Sequence, residues 1–164
     1  MDKWQIINRK ILTLDELRRK ILSWRLTGNK IVFTNGCFDI LHRGHLKLLL
    51  EAAALGQVLV VGVNSDASVR RLKGANRPVN NAQDRLMALA AMEFVDAVVL
   101  FEEDDPGLLI QAILPEVLVK GNDYTIDQIA GAREVTGSGG KVVLVPLLEG
   151  YSTSALLEKM GRPV

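Results

Sequence analysis

Short, unbroken runs of apolar residues recur along this chain, each followed by a stretch with helical spacing, and that alternation leaves few folds open. The runs lie at residues 30–34, 58–63, 97–101, 117–119 and 142–145. Helical patterns follow them near residues 45–54, 67–72 and 82–92, 108–114, and 127–136. A strand that is apolar at every position has to be covered on both faces, and strands joined through helices run parallel. The pattern predicts an α/β protein with a parallel five-stranded sheet and helices on both faces.

An N-terminal helix is expected to precede the first strand. Thr13 offers a capping hydroxyl and Glu16, three residues on, can close a capping box. Leu14, Leu17, Ile21 and Trp24 then mark one apolar face, and Gly28 provides a stop. A last helix follows Ser152, with Ala155, Leu156 and Met160 facing inward. No repeat or linker interrupts the series, and 164 residues suit one domain. Residues 1–29 are read as a helical lead and residues 30–164 as the body of a Rossmann-like fold.

Charge and cysteine content narrow the partners. Lys and Arg number 20 against 19 Asp and Glu, so no global field draws the chain to nucleic acid or to an anionic membrane, and any anion site must be local. The single cysteine, Cys37, forms no internal disulfide, and no apolar run approaches the roughly 18 residues of a membrane helix. The start lacks a secretory pattern, so the expectation is a cytoplasmic protein with no membrane and no nucleic-acid partner.

In open α/β sheets ligands sit beyond the carboxyl ends of the strands, which directs attention to residues 35–44 after the first strand. Both histidines of the chain, His42 and His45, lie there, at a spacing that sets two imidazoles near one helix N-terminus. Free amides and the helix dipole at such a place favour phosphate, and Gly36 and Gly44 carry no Cβ to keep it away. Other roles exist for these residue types. A histidine at a helix start can serve as a cap, and two histidines can share a zinc ion with Cys37 and Asp39, although convergent ligand pairs are missing. Cys37 can also simply fill the loop.

The segment Thr34-Asn35-Gly36-Cys37-Phe38-Asp39-Ile40-Leu41-His42-Arg43-Gly44-His45 resembles the signature of the HxGH nucleotidyltransferases, in the long form of their cytidylyltransferase-like branch. Residues 63–69, Arg77-Pro78-Val79-Asn80, residues 119–124 and Gly150-Tyr151-Ser152-Thr153-Ser154 are similar to the adenylyltransferases of ADP-heptose synthesis. The likeness runs in order from about residue 30 to the end. It implies transfer of AMP from ATP to D-glycero-β-D-manno-heptose 1-phosphate with release of pyrophosphate, for ADP-heptose and lipopolysaccharide core synthesis. Mg²⁺ would accompany the triphosphate, and a homodimer is the family's expectation.

The resemblance also distributes roles. His42, His45 and Lys73 are expected to act on the phosphates. Nucleotide binding is expected from Asn35, Gly36, Cys37, Phe38, Gly44, Arg85, Lys120, Gly121 and Asp123, and from Tyr151, Ser152, Thr153 and Ser154 at the last helix start. Ser152 is also a natural N-cap. Asp39 is read as a loop anchor, with a place near a metal as the alternative, and no residue is assigned as a direct metal ligand.

One position departs from a neighbouring group. Polyol-phosphate cytidylyltransferases commonly carry an arginine five residues before the serine of the closing motif, where this chain has Leu147. That speaks against a glycerol-phosphate enzyme and does not decide between ATP and CTP; CTP-dependent transfer to glycerol 3-phosphate or another polyol phosphate is the alternative enzyme. A reading of another class, a nucleotide-binding regulatory module without catalysis, sits poorly with an intact histidine pair.

Overall fold

The computed structural model describes residues 2–161. The chain opens with helix α1 (Lys3–Asn8), a two-residue strand β1 (Ile11–Leu12) and helix α2 (Leu14–Leu26). The capping box forms at the start of α2: the Thr13 hydroxyl accepts the Glu16 amide at 3.3 Å, and the Glu16 carboxylate accepts the Thr13 amide at 2.8 Å. There follow β2 (Ile31–Gly36), α3 (Arg43–Ala53), β3 (Val58–Asn64), α4 (Asp66–Lys73), α5 (Ala82–Ala90), β4 (Ala97–Phe101) and α6 (Gly107–Ile113). The last elements are β5 (Val117–Gly121), α7 (Ala132–Gly137), β6 (Lys141–Val145) and α8 (Thr153–Lys159).

All strand pairs are parallel, in the order β1-β4-β3-β2-β5-β6. The sheet thus has six strands rather than the five expected. The extra one is β1, which pairs Ile11 with Val98 and Leu12 with Val99 at the edge. Two residues are too few to register as a periodic run, so this strand is invisible to pattern reading. The expected helix at residues 127–136 is also shorter: a 3-10 turn at Ile126–Gln128 and Gly131, at φ 80°, precede α7.

Alternate residues of each central strand feed two cores. Ile31 and Phe33 of β2 and Val58 and Val60 of β3 meet Leu17 and Ile21 of α2, with α6 and α7 on the same side. Val32, Leu59, Val61 and Val63 point the other way, toward Leu49 and Ala52 of α3 and Leu86, Leu89 and Ala90 of α5. Each fully buried side chain of this size contributes about 1.5–3 kcal/mol, so this double layer is the main source of stability.

The strand order creates the binding crevice. From β2 the chain winds outward through β3 to β4, then returns to the opposite side of β2 with β5 and β6. β2 and β5 are therefore direct neighbours, with Val32 opposite Val117 and Phe33 opposite Leu118, and their following loops diverge. The gap above their carboxyl ends is where this architecture binds ligands.

Candidate active site

The loop after β2 turns on Phe38. Its φ of 47° lies in the left-handed region, which a bulky side chain rarely adopts, and its ring is buried. Such a turn costs of order 1–3 kcal/mol and persists only where surrounding contacts enforce it. Those contacts are present on both sides of the residue. Arg85 donates from Nη1 to the Cys37 carbonyl at 2.6 Å, while Asp39 is tied to residues 77–80. Gly36 serves the same turn, because a Cβ there would stand 3.1 Å from the Phe38 ring. Its missing side chain makes room for Phe38, where the sequence suggested room for phosphate.

Asp39 is buried and fully engaged by the protein. Its carboxylate accepts from Arg77 Nε at 2.6 Å, from the Val79 amide at 2.8 Å and from the Asn80 amide at 2.8 Å. Burial by itself would raise its pKa, yet the two amides and the guanidinium outweigh that and hold it below the usual carboxylate value. The geometry is that of a loop anchor.

Arg85, expected among the nucleotide-binding residues, lies buried beneath the loop. Its side chain has no exposed surface, and besides Cys37 it donates to the Asn80 carbonyl at 3.0 Å and to Asp66 Oδ1 at 2.8 Å. With one bond from each of its three nitrogens, the guanidinium holds the loop from below.

His42 is the N-cap of α3. Its Nδ1 accepts the amides of Gly44 at 3.1 Å and His45 at 3.4 Å. Amides only donate, so Nδ1 must keep its lone pair and the neutral ring carries its proton on Nε2. Capping and donation are thus two uses of the same ring. His45 stacks on it, with centroids 3.7 Å apart and planes inclined by 21°, and meets Phe38 edge-on at 5.3 Å. Burial, then the neighbouring His42, depresses the His45 pKa to about 4; the nearby Ile40 carbonyl opposes this, although it lies outside hydrogen-bond geometry and leaves Nδ1 without a partner. Burial also lowers the pKa of His42. Both rings are neutral donors at neutral pH.

Gly44 belongs to this arrangement for a steric reason. A Cβ there would lie 3.0 Å from Cε1 and Nδ1 of His42 and 3.3 Å from Cβ of Tyr151. The close approach brings the start of α8 against the start of α3, with the Tyr151 ring 6.5 Å from that of His42. Ser152 caps α8 through its hydroxyl, which accepts the Ala155 amide at 3.1 Å, and Thr153 and Ser154 form the first turn. Arg43, between the histidines, is exposed.

Two lysines flank the crevice. Lys73 ends α4, is exposed, and makes no hydrogen bond or ion pair among the described residues. It is close enough to Cys37 to be the main charge opposing the rise that burial imposes on that thiol's pKa. Lys120, in β5, donates to Asn35 Oδ1 at 2.9 Å and lies 5.2 Å from the centre of the Tyr124 ring. Burial lowers its pKa to about 8, against the pull of Asp123 and Cys37. Gly121 is needed because a Cβ would come 2.7 Å from both Asp123 Oδ1 and Leu147 Cδ2.

The crevice thus gathers Asn35, Cys37, His42, His45, Lys73 and Lys120, with Tyr151 to Ser154 at its rim, and sets Arg85 below it. Three structural contributors lie within the motifs quoted from the sequence but were given no role there: Arg77, Asn80 and Asn122, whose side chain accepts the Leu147 amide at 3.0 Å and joins the loops after β5 and β6. The buried carboxylate at Asp39 was the available signal, since it demands a cation and amides from elsewhere in the chain. Among the described residues no three His, Cys, Asp or Glu side chains converge as a metal site, and none of the helices is long and apolar enough to cross a membrane.

Comparison with known proteins adds a family-level finding. A family model described as cytidylyltransferase-like matches residues 33–159. The bifunctional protein HldE of Nitrobacter hamburgensis is 53% identical over 147 residues, which cover 90% of this chain and 30% of that protein. The bifunctional protein HldE of Mesorhizobium japonicum is 54% identical over 150 residues, covering 92% and 30%. The chain therefore spans about 30% of the length of the curated relatives it matches. Among solved structures, the lipopolysaccharide core biosynthesis protein from Thermoplasma volcanium matches with a TM-score of 0.60 at 28% identity, over 76% of this chain and 100% of that one. A pantoate-β-alanine ligase from Francisella tularensis, complexed with β,γ-ATP and β-alanine, matches in fold with a TM-score of 0.63 at 18% identity, over 88% of this chain and 68% of that one.

Proposed function

This chain belongs to the cytidylyltransferase-like family, and on that premise we propose that it transfers AMP from ATP to D-glycero-β-D-manno-heptose 1-phosphate, releasing pyrophosphate and forming ADP-heptose for lipopolysaccharide core synthesis. The observation that carries this reading is the state of His42. Burial favours its neutral ring, and two backbone amides occupy Nδ1 so that Nε2–H is the free donor, at the crevice where β2 and β5 part. The identity of more than half over nine-tenths of the chain to the HldE proteins supports the choice of acceptor.

The reaction is an in-line displacement at the α-phosphorus. An oxygen of the sugar phosphate forms the new bond, the bond from the α-phosphorus to its bridging oxygen breaks, and the electron pair leaves with pyrophosphate. A phosphate monoester has a second pKa near about 6, so the nucleophile is already anionic at neutral pH and needs no strong base. What the site has to supply is alignment and donors for the charge that develops. His42 and His45 donate to oxygens of the α-phosphate and the departing group, and the amides around Cys37 and Phe38 hold the α-phosphate. Lys73 covers the β and γ phosphates, joined by the Ser152 to Ser154 turn. Lys120, Gly121 and Asp123 border the nucleoside.

Mg²⁺ would arrive with the triphosphate. The side chains do not form a protein cage for it, because Asp39, the nearest buried carboxylate in the loop, is saturated by Arg77, Val79 and Asn80. An ion held by phosphate oxygens and water suits this donor set.

Pyrophosphate release is the deciding measurement, with ATP and CTP each paired with heptose 1-phosphate and glycerol 3-phosphate. Turnover confined to ATP with heptose 1-phosphate is expected. Turnover with CTP and glycerol 3-phosphate would replace this reading with the polyol one, and nucleotide binding without release under every pairing would replace it with a regulatory module.

A further inference from the structure

One buried ion pair joins the loop after β2 to the segment that leads into α5. Arg77 Nε lies 2.6 Å from Asp39 Oδ2, with side-chain exposures of 5% and 0%. The joint is reinforced in both directions: Asp39 accepts the Val79 and Asn80 amides, and the Asn80 side chain donates to the Asp39 carbonyl at 2.6 Å. Lys73 stands only four residues before Arg77. The intervening arm begins at Gly74, whose φ is 99°, whose amide donates to the Arg70 carbonyl at 2.9 Å, and around which a Cβ would meet no atom within 4 Å. The Arg77 amide closes it by donating to the Gly74 carbonyl at 3.1 Å.

Buried ion pairs are poor sources of stability compared with apolar residues of the same size, because desolvation offsets the attraction. What this one supplies is register. It lies next to the strained Phe38 turn on one side and carries the Lys73 arm on the other, so a single guanidinium sets the spacing between two walls of the crevice. We propose that Arg77 is a positioning residue: through Asp39 it holds the phosphate-facing loop and the Lys73 arm in fixed relation. Its effect on turnover rests on the transfer reaction proposed above, whereas its effect on the loop does not.

The test compares Arg77→Met, Arg77→Lys and the double variant Asp39→Asn with Arg77→Met. Melting temperature, kcat and KM for ATP, and the rate at which iodoacetamide alkylates Cys37, the only thiol in the chain, are measured for each. Misplacement of reacting groups by about 1 Å costs on the order of 10²-fold, so Arg77→Met should lose about 30- to 100-fold in kcat with KM within about threefold. Cys37 should alkylate at least about fivefold faster as the loop loosens, because the access gained outweighs the thiolate lost with the Arg77 charge. Arg77→Lys, which keeps one donor and the charge, should recover most of kcat. The double variant, freed of an unpaired buried carboxylate, should regain melting temperature but not kcat.

The proposal is overturned if folded Arg77→Met keeps wild-type kcat, if the double variant regains kcat along with its stability, or if Cys37 alkylates no faster. Should Arg77→Met fail to fold, the double variant and Arg77→Lys decide by the same criteria. A wild-type protein that releases no pyrophosphate with any substrate pair sinks the reaction instead, and the alkylation rates then judge the joint by themselves.

Discussion

The imidazole rings of His42 and His45 lie face to face, 3.7 Å between centroids, and only one of them is tied to the helix they share. His42 spends Nδ1 on two amides, while His45 has no hydrogen-bond partner at Nδ1. Two cations at that separation would repel strongly, so the pair is neutral at neutral pH.

A titration of both rings checks this directly. With only two histidines in the chain, their carbon-bound ring protons are readily followed by NMR. His45 should titrate near pH 4 and His42 below its ordinary value; a midpoint near 6.5 for either in the free protein would contradict the neutral pair. The sign for stability follows. The folded pKa is lowered, so between about pH 6.5 and about pH 4 the unfolded chain binds more protons, and stability falls as the pH drops through that window.

Substitution should separate capping from donation. His45→Ala removes a donor but no cap, so turnover should fall about 10²- to 10³-fold with the fold intact. His42→Ala should lose a similar factor and about 1 kcal/mol of stability, because the N-cap goes with it. His42→Asn should recover the stability, asparagine being a good N-cap, without recovering turnover. Denaturant melts and single-turnover rates on the three variants distinguish these outcomes.

Gly44→Ala tests the contact between the two helix starts. The added Cβ meets the His42 ring at 3.0 Å and Tyr151 at 3.3 Å, so the ring or α8 must shift. Turnover should drop by at least about tenfold, with a stability change below about 1 kcal/mol because the helical backbone tolerates alanine. Unchanged kcat/KM would mean that the ring's placement is not critical.

Lys120 predicts an alkaline limit. Its charge fades as the pH passes about 8, so kcat/KM for ATP should bend downward there. Lys120→Arg keeps its charge at any working pH, so the variant's residual activity should lose that bend. A wild-type profile flat to pH 9.5 would show that the lysine's charge is not used.

Much of this could be read from residue order. The alternation of apolar runs with helical patterns is enough to place β2 to β6, because a strand buried on both faces leaves a dense signal. The Thr13 capping box and the two histidines at one helix start are likewise local features, set by spacing alone. Arg85 shows what local reading misses: on a helix it resembles a surface cation, and only the strand order reveals that α5 packs under the loop and draws its guanidinium inward. The same holds for Arg77, 38 residues from the carboxylate it serves. Gly36 and Gly44 were legible as places of close approach, but not as to what approaches; rings of their own loop fill the space.

Strand β1 changes what the first residues of the chain are for. Only Ile11 and Leu12 pair with β4, and Lys10 adds its carbonyl to the Val98 amide at 2.8 Å. Without them the apolar flank of β4 would present an open row of donors and acceptors, a template for joining another chain. A version trimmed to begin at Lys30 would keep every residue of the crevice yet lose both this edge cover and the buried Leu17 and Ile21 of α2, so it is expected to self-associate, which size-exclusion chromatography would read.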